Sequence, residues 1–152
     1  MLLTVEPLDG PVAGRLLHAL VAELQVRYDD DGAAGTLLEP AAFVPPRGTF
    51  VVAHWAGVPA ACGGLREHAP GVGEVKRMYV APPARGQGLA RRVLAALEDA
   101  GRALGHRRLL LETGTLQPEA VALYASAGWQ RVPPYGEWRD SPLSVCFARE
   151  LT

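Results

Sequence analysis

The sequence predicts one α/β domain built on a mixed central β-sheet, and three observations lead to this fold class. First, strand-like and helix-like segments follow one another in the order β-α-β-β-β-α-β-α-β-β. Second, the 152 residues are enough to bury one sizeable core, and no internal linker interrupts them. Third, 49% hydrophobic and 20% charged residues are typical of a globular protein. We therefore expect a single domain spanning residues 1–152.

The N-terminal part predicts a strand followed by an amphipathic helix. The segment "LLTVEPL" is typical of a strand, and Asp9 is predicted to cap a helix that runs to about Arg27. One face of this helix would carry Leu16, Leu17, Leu20, Val21 and Leu24. After it, "YDDDGAAGTLLEP" predicts a loop and "PAAFVP" a short helical turn.

The middle of the chain predicts a hairpin and a third strand. Two strand-like runs, "GTFVVAHW" and "VPAACGGLREH", flank the turn dipeptide Ala56-Gly57. The turn "APGVG" then leads into the strand "EVKRMYV". A glycine-containing segment follows, and after it apolar residues recur at helical spacing, at Leu89, Val93, Leu97, Ala100 and Leu104.

The C-terminal part predicts a strand, a short helix and two further strands. The strand is "RRLLLET" and the helix is "PEAVALYASAG". The strand "WQRV", an irregular segment "PPYGEWRDSP" and the last strand "LSVCFARE" complete the chain. Three large side chains of the irregular segment, Tyr135, Trp138 and Arg139, can line a binding groove or simply cover the end of a hairpin.

Composition and charge argue against several classes of partner. The formal net charge of −1 gives no reason to expect nucleic acid or an anionic membrane as a partner. The N-terminal segment does not resemble a signal peptide, and no apolar run is long enough to span a membrane. Cys62 and Cys146 lack metal-ligand spacing, as do the four histidines. We expect a cytoplasmic protein without a bound metal.

The segment "YVAPPARGQGLARRVL" joins a strand to a helix and contains two glycines, Gly86 and Gly88. Such a turn presents free backbone N–H groups at the positive end of a helix dipole, where phosphate binds well. A P-loop is excluded because Gly88 is followed by Leu89-Ala90 rather than by Lys-Ser/Thr. A dinucleotide fingerprint with Ala90 and Glu112, or an ordinary connecting loop, stays open at this point.

The surroundings of this loop make its assignment more specific. The segment "EVKRMYVAPPARGQGLARRVL" resembles the acetyl-CoA-binding segment of the GNAT acetyltransferase superfamily, whose phosphate loop Arg85, Gly88 and Ala90 match. The resemblance continues through "ETGTLQPEAVALYASAGW" and covers roughly residues 48–132. It implies the GNAT fold, a twisted mixed sheet flanked by helices, and acetyl-CoA as co-substrate.

The resemblance also implies a set of cofactor-binding residues. In this family the strand before the loop is bulged, and its backbone binds the pantetheine arm. The pyrophosphate binds the loop, and an amide from the next helix start contacts the pantetheine, a position where this chain has Gln117 in place of the frequent asparagine. The implied residues are Met78, Tyr79, Val80, Arg85, Gly86, Gln87, Gly88, Leu89, Ala90, Arg91 and Gln117.

Two further residues acquire catalytic roles from the resemblance. Glu74 lies where some members carry a glutamate that acts as general base, and we favour this role over that of a strand residue beside Lys76 or Arg66. Tyr124 matches the tyrosine that protonates the departing thiolate. The predicted reaction is direct transfer of acetyl from acetyl-CoA to a primary amine in a ternary complex.

Alternatives to this function are a module that binds acyl-CoA without turnover and a regulatory domain that binds nucleotide phosphates. The acceptor would be a small molecule or a peptide amine, and the "DDD" run at residues 29–31 favours a cationic one. Its identity, the acyl length and the oligomeric state, a homodimer included, are left open by the sequence.

Overall fold

The computed structural model describes all 152 residues, and its elements follow the predicted order. The strands are β1 Leu2–Val5, β2 Gly48–Trp55, β3 Val58–Ala69, β4 Val72–Val80, β5 Arg108–Gly114, β6 Gln130–Val132 and β7 Ser144–Glu150. The helices are α1 Pro11–Tyr28, α2 Leu89–Ala103 and α3 Pro118–Ser126. Short 3-10 turns lie at Pro40–Phe43, as predicted, and at Pro82–Ala84.

All seven strands form one sheet in the order β1-β2-β3-β4-β5-β7-β6. Neighbouring strands are antiparallel except β4 and β5, which are parallel. A parallel pair needs a crossover connection, and α2 supplies it between these two strands. The predicted mixed α/β sheet is confirmed.

The turn between β2 and β3 lies at the dipeptide that predicted the hairpin. Ala56 and Gly57 have φ angles of 52° and 81°. Positive φ at both central residues is the type I′ geometry, whose twist matches that of the strands it joins. The hairpin therefore brings β2 and β3 into register along most of their length.

The start of α1 differs from the prediction. The residue that caps this helix is Gly10 rather than Asp9, and no side chain bonds to the first turn. Pro11 occupies the first helical position, where its fixed φ suits the helix and its missing N–H costs nothing. The predicted cap at Asp9 was therefore wrong, whereas Leu16, Leu20 and Leu24 are buried on the predicted face.

The sheet is covered on both faces, by α1 on one side and α2 on the other. On the α2 face, Val75 and Leu111 belong to one buried cluster with Leu97. On the α1 face, Leu20 and Tyr79 belong to a second cluster with Phe43, Phe50 and Val52. Alternate residues of the central strands therefore point into two separate apolar layers.

A bulge interrupts β4 opposite β3. Cys62 pairs with Tyr79 and Gly64 pairs with Lys76, so two residues of β4, Arg77 and Met78, lie opposite the single residue Gly63 of β3. Arg77, inside the bulge, has a φ of 61°, a left-handed conformation that is uncommon outside glycine. The extra residue bends β4 away from its earlier course.

Beyond the bulge, β4 separates from β5. Their pairing ends at Val75 and Leu111, whereas β5 continues beside β7 as far as Gly114. From Lys76 onward, β4 has no partner strand on its β5 side. The sheet is therefore open at this point, and the opening positions the site described below.

No helix of this chain is both long enough and apolar enough to cross a membrane. Both cysteines are buried and unbridged, and no three His, Cys, Asp or Glu side chains are grouped as metal ligands would be.

Candidate active site

Two cavities meet where β4 separates from β5. The loop cavity, of about 300 Å³, lies among α1, β4, α3 and the glycine segment, residues 84–88, which precedes α2. The sheet cavity, of about 230 Å³, lies among α1, β4, β5 and the loops after α1 and β6. Both are lined by Leu20, Met78, Gln117 and Tyr124. A molecule in one cavity can therefore contact a molecule in the other.

The loop cavity brings together nearly all residues that the sequence implied for cofactor binding. Its lining includes Met78, Tyr79, Val80, Arg85, Gly86, Gly88, Leu89, Ala90, Arg91 and Gln117. Gln87 is the exception, because it is exposed in the loop without lining the cavity.

The glycine segment is built to accept an anion. Gly86 and Gly88 have φ angles of 83° and 76°, and a Cβ at either would meet no protein atom within 4 Å. No backbone N–H from Gly86 to Arg91 donates to an acceptor within the chain. Six consecutive free donors at the N-terminus of α2 suit a pyrophosphate. Arg85, which the resemblance implies as a cofactor-binding residue, has no free backbone N–H, because this group donates to the carbonyl of Pro82 at 3.2 Å.

The Arg85 side chain bridges β4 and α1 at the edge of the loop cavity. Its Nε donates to the carbonyl oxygen of Val80 at 2.9 Å, and its Nη2 contacts Glu23 Oε1 at 2.7 Å. The guanidinium also lies 5.8 Å from the ring centre of Tyr79. Arg85 therefore fixes the position of the strand that the pantetheine arm would follow.

Tyr124 lies at the junction of the two cavities. Its ring packs against Trp129 and Phe147, with ring centres 6.1 and 5.7 Å away. Burial raises the pKa of its phenol, which favours the neutral, protonated form. Its hydroxyl makes no hydrogen bond within the protein and is available as a donor.

Gln117 also lines both cavities, at the start of α3. Its Oε1 accepts a hydrogen bond from the Tyr28 hydroxyl at 3.0 Å, which leaves the amide Nε2 as a free donor. Gly114 makes room for this contact, since a Cβ there would overlap the Tyr28 hydroxyl. The longer glutamine is thus held by α1 with its donor group available to a ligand.

Glu74 lies outside the lining of both cavities and is only 5% exposed. Its Oε1 accepts hydrogen bonds from Arg66 Nε at 3.1 Å and Nη2 at 2.9 Å. Its Oε2 accepts one from the Tyr135 hydroxyl at 2.8 Å. The partner cation is therefore Arg66, directly across the sheet on β3, rather than Lys76. This arrangement ties the β6–β7 loop to the sheet through Tyr135.

Glu112, on β5, is one of two carboxylates that line the sheet cavity, and Tyr124 and Gln117 line it as well. Burial raises its pKa, while a hydrogen bond from Ser144 Oγ at 3.0 Å acts in the opposite direction. Sequence reasoning considered this residue only as part of a dinucleotide fingerprint. The available signal was one acidic residue at the end of the otherwise apolar run "LLLE".

The loops around the sheet cavity supply its remaining wall. Asp30 is the member of the "DDD" run that lines it, and Trp138 is the member of the aromatic segment that does so. Glu137 accepts hydrogen bonds from the Thr36 backbone N–H at 3.2 Å and from the Thr36 hydroxyl at 2.9 Å. The loop after α1 and the loop after β6 are thereby joined over the cavity.

Comparison with known proteins agrees with this geometry. The sequence profile of the acetyltransferase (GNAT) family matches residues 15–129. The IAA acetyltransferase of Azospirillum brasilense is 40% identical over 136 residues, covering 87% of this chain and 88% of that protein. A Klebsiella pneumoniae protein assigned to the acyl-CoA N-acyltransferases is 30% identical and superposes with a TM-score of 0.83. The match covers 99% of this chain and 97% of that protein.

A more distant structure supports the fold alone. The structure of an aminoglycoside 6'-N-acetyltransferase with coenzyme A superposes with a TM-score of 0.75 at 14% identity. The match covers 100% of this chain and 98% of that protein. The profile match spans more than half of the chain, and the relatives are matched over most of their length. The chain is an acetyl-CoA-dependent N-acetyltransferase and belongs to the GNAT family.

Proposed function

We propose that the enzyme transfers acetyl directly from acetyl-CoA, held in the loop cavity, to a primary amine held in the sheet cavity. The observation that carries this proposal is the meeting of the two cavities at Met78, Gln117 and Tyr124. Each reactant then has its own approach, and the reacting atoms come together between β4 and β5. No covalent enzyme intermediate is needed in such a ternary complex.

The chain holds the cofactor through backbone groups and one amide. The free N–H groups from Gly86 to Arg91 bind the pyrophosphate, and Gly86 and Gly88 let it approach closely. The unpaired side of β4, from Met78 to Val80, bonds to the pantetheine arm as a neighbouring strand would. Gln117 Nε2 donates to the same arm.

Glu112 is the proposed general base, in place of the Glu74 that the sequence favours. An alkylamine with a pKa near ~10 reaches the site mainly as an ammonium and must lose a proton before it attacks. Glu112 lines the sheet cavity and has a raised pKa, which suits a base that works near neutral pH. Glu74 has both oxygens engaged by Arg66 and Tyr135.

One ammonium proton passes to Glu112, the amine nitrogen forms a bond to the thioester carbonyl carbon, and the carbon–sulfur bond breaks. Tyr124 donates a hydrogen bond to the departing sulfur. The second amine proton, released as the amide forms, passes to this sulfur, which leaves as coenzyme A thiol, and the first proton leaves Glu112 for solvent. The raised pKa of Tyr124 favours this role as a neutral donor.

A panel of amines tests the proposal. Release of coenzyme A thiol is followed with acetyl-CoA and each of a set of amino acids, peptides, polyamines and aminoglycosides. Acetylated product, identified by mass, is expected for at least one primary amine, with no acetyl group left on the protein. A chain that binds acetyl-CoA but acetylates none of these amines would be a binding module instead.

A further inference from the structure

Two cations in the sheet cavity lack a carboxylate partner. The half-buried cations of the chain are Arg27, Arg66, Lys76, Arg77, Arg108 and Arg149. Four of them form ion pairs within 4.0 Å, which are Arg27 with Glu119, Arg66 with Glu74, Arg108 with Glu150 and Arg149 with Glu98. Lys76 and Arg77 form none, and both line the sheet cavity.

This absence of a partner is unusual for side chains so removed from water. A half-buried cation has lost part of its hydration, and proteins normally replace that loss with an opposite charge. Burial lowers the pKa of both Lys76 and Arg77, and this effect outweighs the opposing attraction of Glu74 and Glu112 for Lys76 and of Glu137 and Glu74 for Arg77. The only hydrogen bond from the Arg77 side chain is a long one, 3.5 Å, to the carbonyl of Thr36.

We propose that the acceptor brings the missing charge: it carries a carboxylate that binds Lys76 and Arg77, as well as the amine that is acetylated. Lys76 and Arg77 line the same cavity, where a guanidinium and an ammonium can each bind an oxygen of one carboxylate. The acceptor class is therefore the amino acids and related small amino-carboxylates. The inference rests on the proposed function, because that function makes the sheet cavity the acceptor site.

The rest of the cavity fits a small zwitterion. Its two carboxylates, Glu112 and Asp30, attract the ammonium end, and Glu112 is the proposed base. The apolar part of the lining, which includes Leu24, Leu111 and Trp138, accommodates a hydrophobic side chain. Its volume of about 230 Å³ is at the small end for ligand sites, which favours a single amino acid over an aminoglycoside.

Matched acceptors test this inference. Each amino acid is assayed beside its carboxamide and the amine that lacks the carboxyl group, and kcat/KM is measured from coenzyme A release. We expect the best acid to exceed its carboxamide by about 10- to 100-fold, the effect of one charge-assisted contact. The carboxamide has the less basic amine, so its larger unprotonated fraction works against this preference. Equal or better use of carboxamides throughout would overturn the inference.

Two variants connect the preference to the cavity. Lys76→Met keeps an unbranched side chain, one atom shorter and without the charge, and it should reduce the ratio of acid to carboxamide about tenfold or more. Arg15→Met is the matched control, because Arg15 is an exposed cation without an ion pair and lines neither cavity. It should keep the wild-type ratio. A Lys76→Met enzyme that retains that ratio would contradict the role of Lys76.

Calorimetry separates failure of this inference from failure of the proposed function. Amino acids and carboxamides are titrated into the protein saturated with coenzyme A. Acid-selective binding that Lys76→Met removes, without acetylation of any amine, would leave the carboxylate site standing and refute the transferase proposal. Acetylation of amines with no preference for acids, in turnover or in binding, would support the transferase proposal and refute the carboxylate site.

Discussion

Removal of the Glu74 side chain is expected to weaken the fold more than the chemistry. Glu74→Ala deletes the acceptor of two hydrogen bonds from Arg66 and one from Tyr135. It leaves a guanidinium on β3 and a hydroxyl on the β6–β7 loop without their partner. The loop should therefore lose its attachment to the sheet.

The contacts give the expected size of this effect. Breaking a fully buried ion pair costs about 3–5 kcal/mol, but the Arg66 side chain is 32% exposed and can regain water. The Tyr135 hydroxyl loses a bond worth about 1 kcal/mol. We expect a loss of about 2–4 kcal/mol in the free energy of unfolding. In a domain of this size that lowers Tm by roughly 5–15 °C.

Urea unfolding and steady-state rates test this prediction together. Glu67→Ala is the control, because Glu67 is an exposed neighbour on β3 that forms no ion pair. Glu74→Ala should be clearly less stable than this control, yet its kcat should still rise with pH as in the wild type. The reasoning is refuted if Glu74→Ala is as stable as Glu67→Ala and loses the pH dependence of kcat.

Three further substitutions test the site. Tyr124→Phe removes only the hydroxyl, so kcat should fall about 10²-fold or more while acetyl-CoA affinity in calorimetry stays the same; a fall below about tenfold would mean that water replaces the hydroxyl. Gly88→Val should abolish coenzyme A binding, whereas Gly57→Val, which carries similar positive-φ strain in the β2–β3 turn, should not. Glu112→Gln should stabilise the protein at neutral pH, because a carboxyl with a raised pKa costs stability as pH rises through that pKa. The gain in urea unfolding should vanish below about pH 4, where the wild-type carboxyl is protonated in both states.

The fold was largely predictable because its signals are local. Apolar periodicity located the helices and strands, and the dipeptide Ala56-Gly57 located the hairpin. The cap of α1 was not predictable from Asp9, because Pro11 and Gly10 form the helix start by backbone geometry alone. The bulge at Arg77 was implied by the resemblance alone, because it follows from pairing with β3, which no local pattern specifies.

The backbone groups of the site were predictable from the sequence, whereas the environments of its charged side chains were less so. The glycine segment carries its function in consecutive residues, so the sequence was enough to assemble the loop cavity. The environment of Glu74 depends on Tyr135, which is 61 residues away in sequence. The importance of Glu112 depends on where β4 leaves β5, and on Ser144 across the sheet. Such contacts are set by the strand order, which a single sequence does not display.

The pH dependence of kcat in the Glu112→Gln enzyme tests the central claim most directly. With both substrates saturating, kcat reports ionisations in the ternary complex rather than that of the free amine. The wild-type kcat should rise with pH through one ionisation, at a pH above the usual glutamate range because burial raises the pKa of Glu112. Glu112→Gln should lose this rise and still bind acetyl-CoA, whereas Glu74→Gln should retain it. A Glu112→Gln enzyme with the wild-type rate and pH profile would contradict the account.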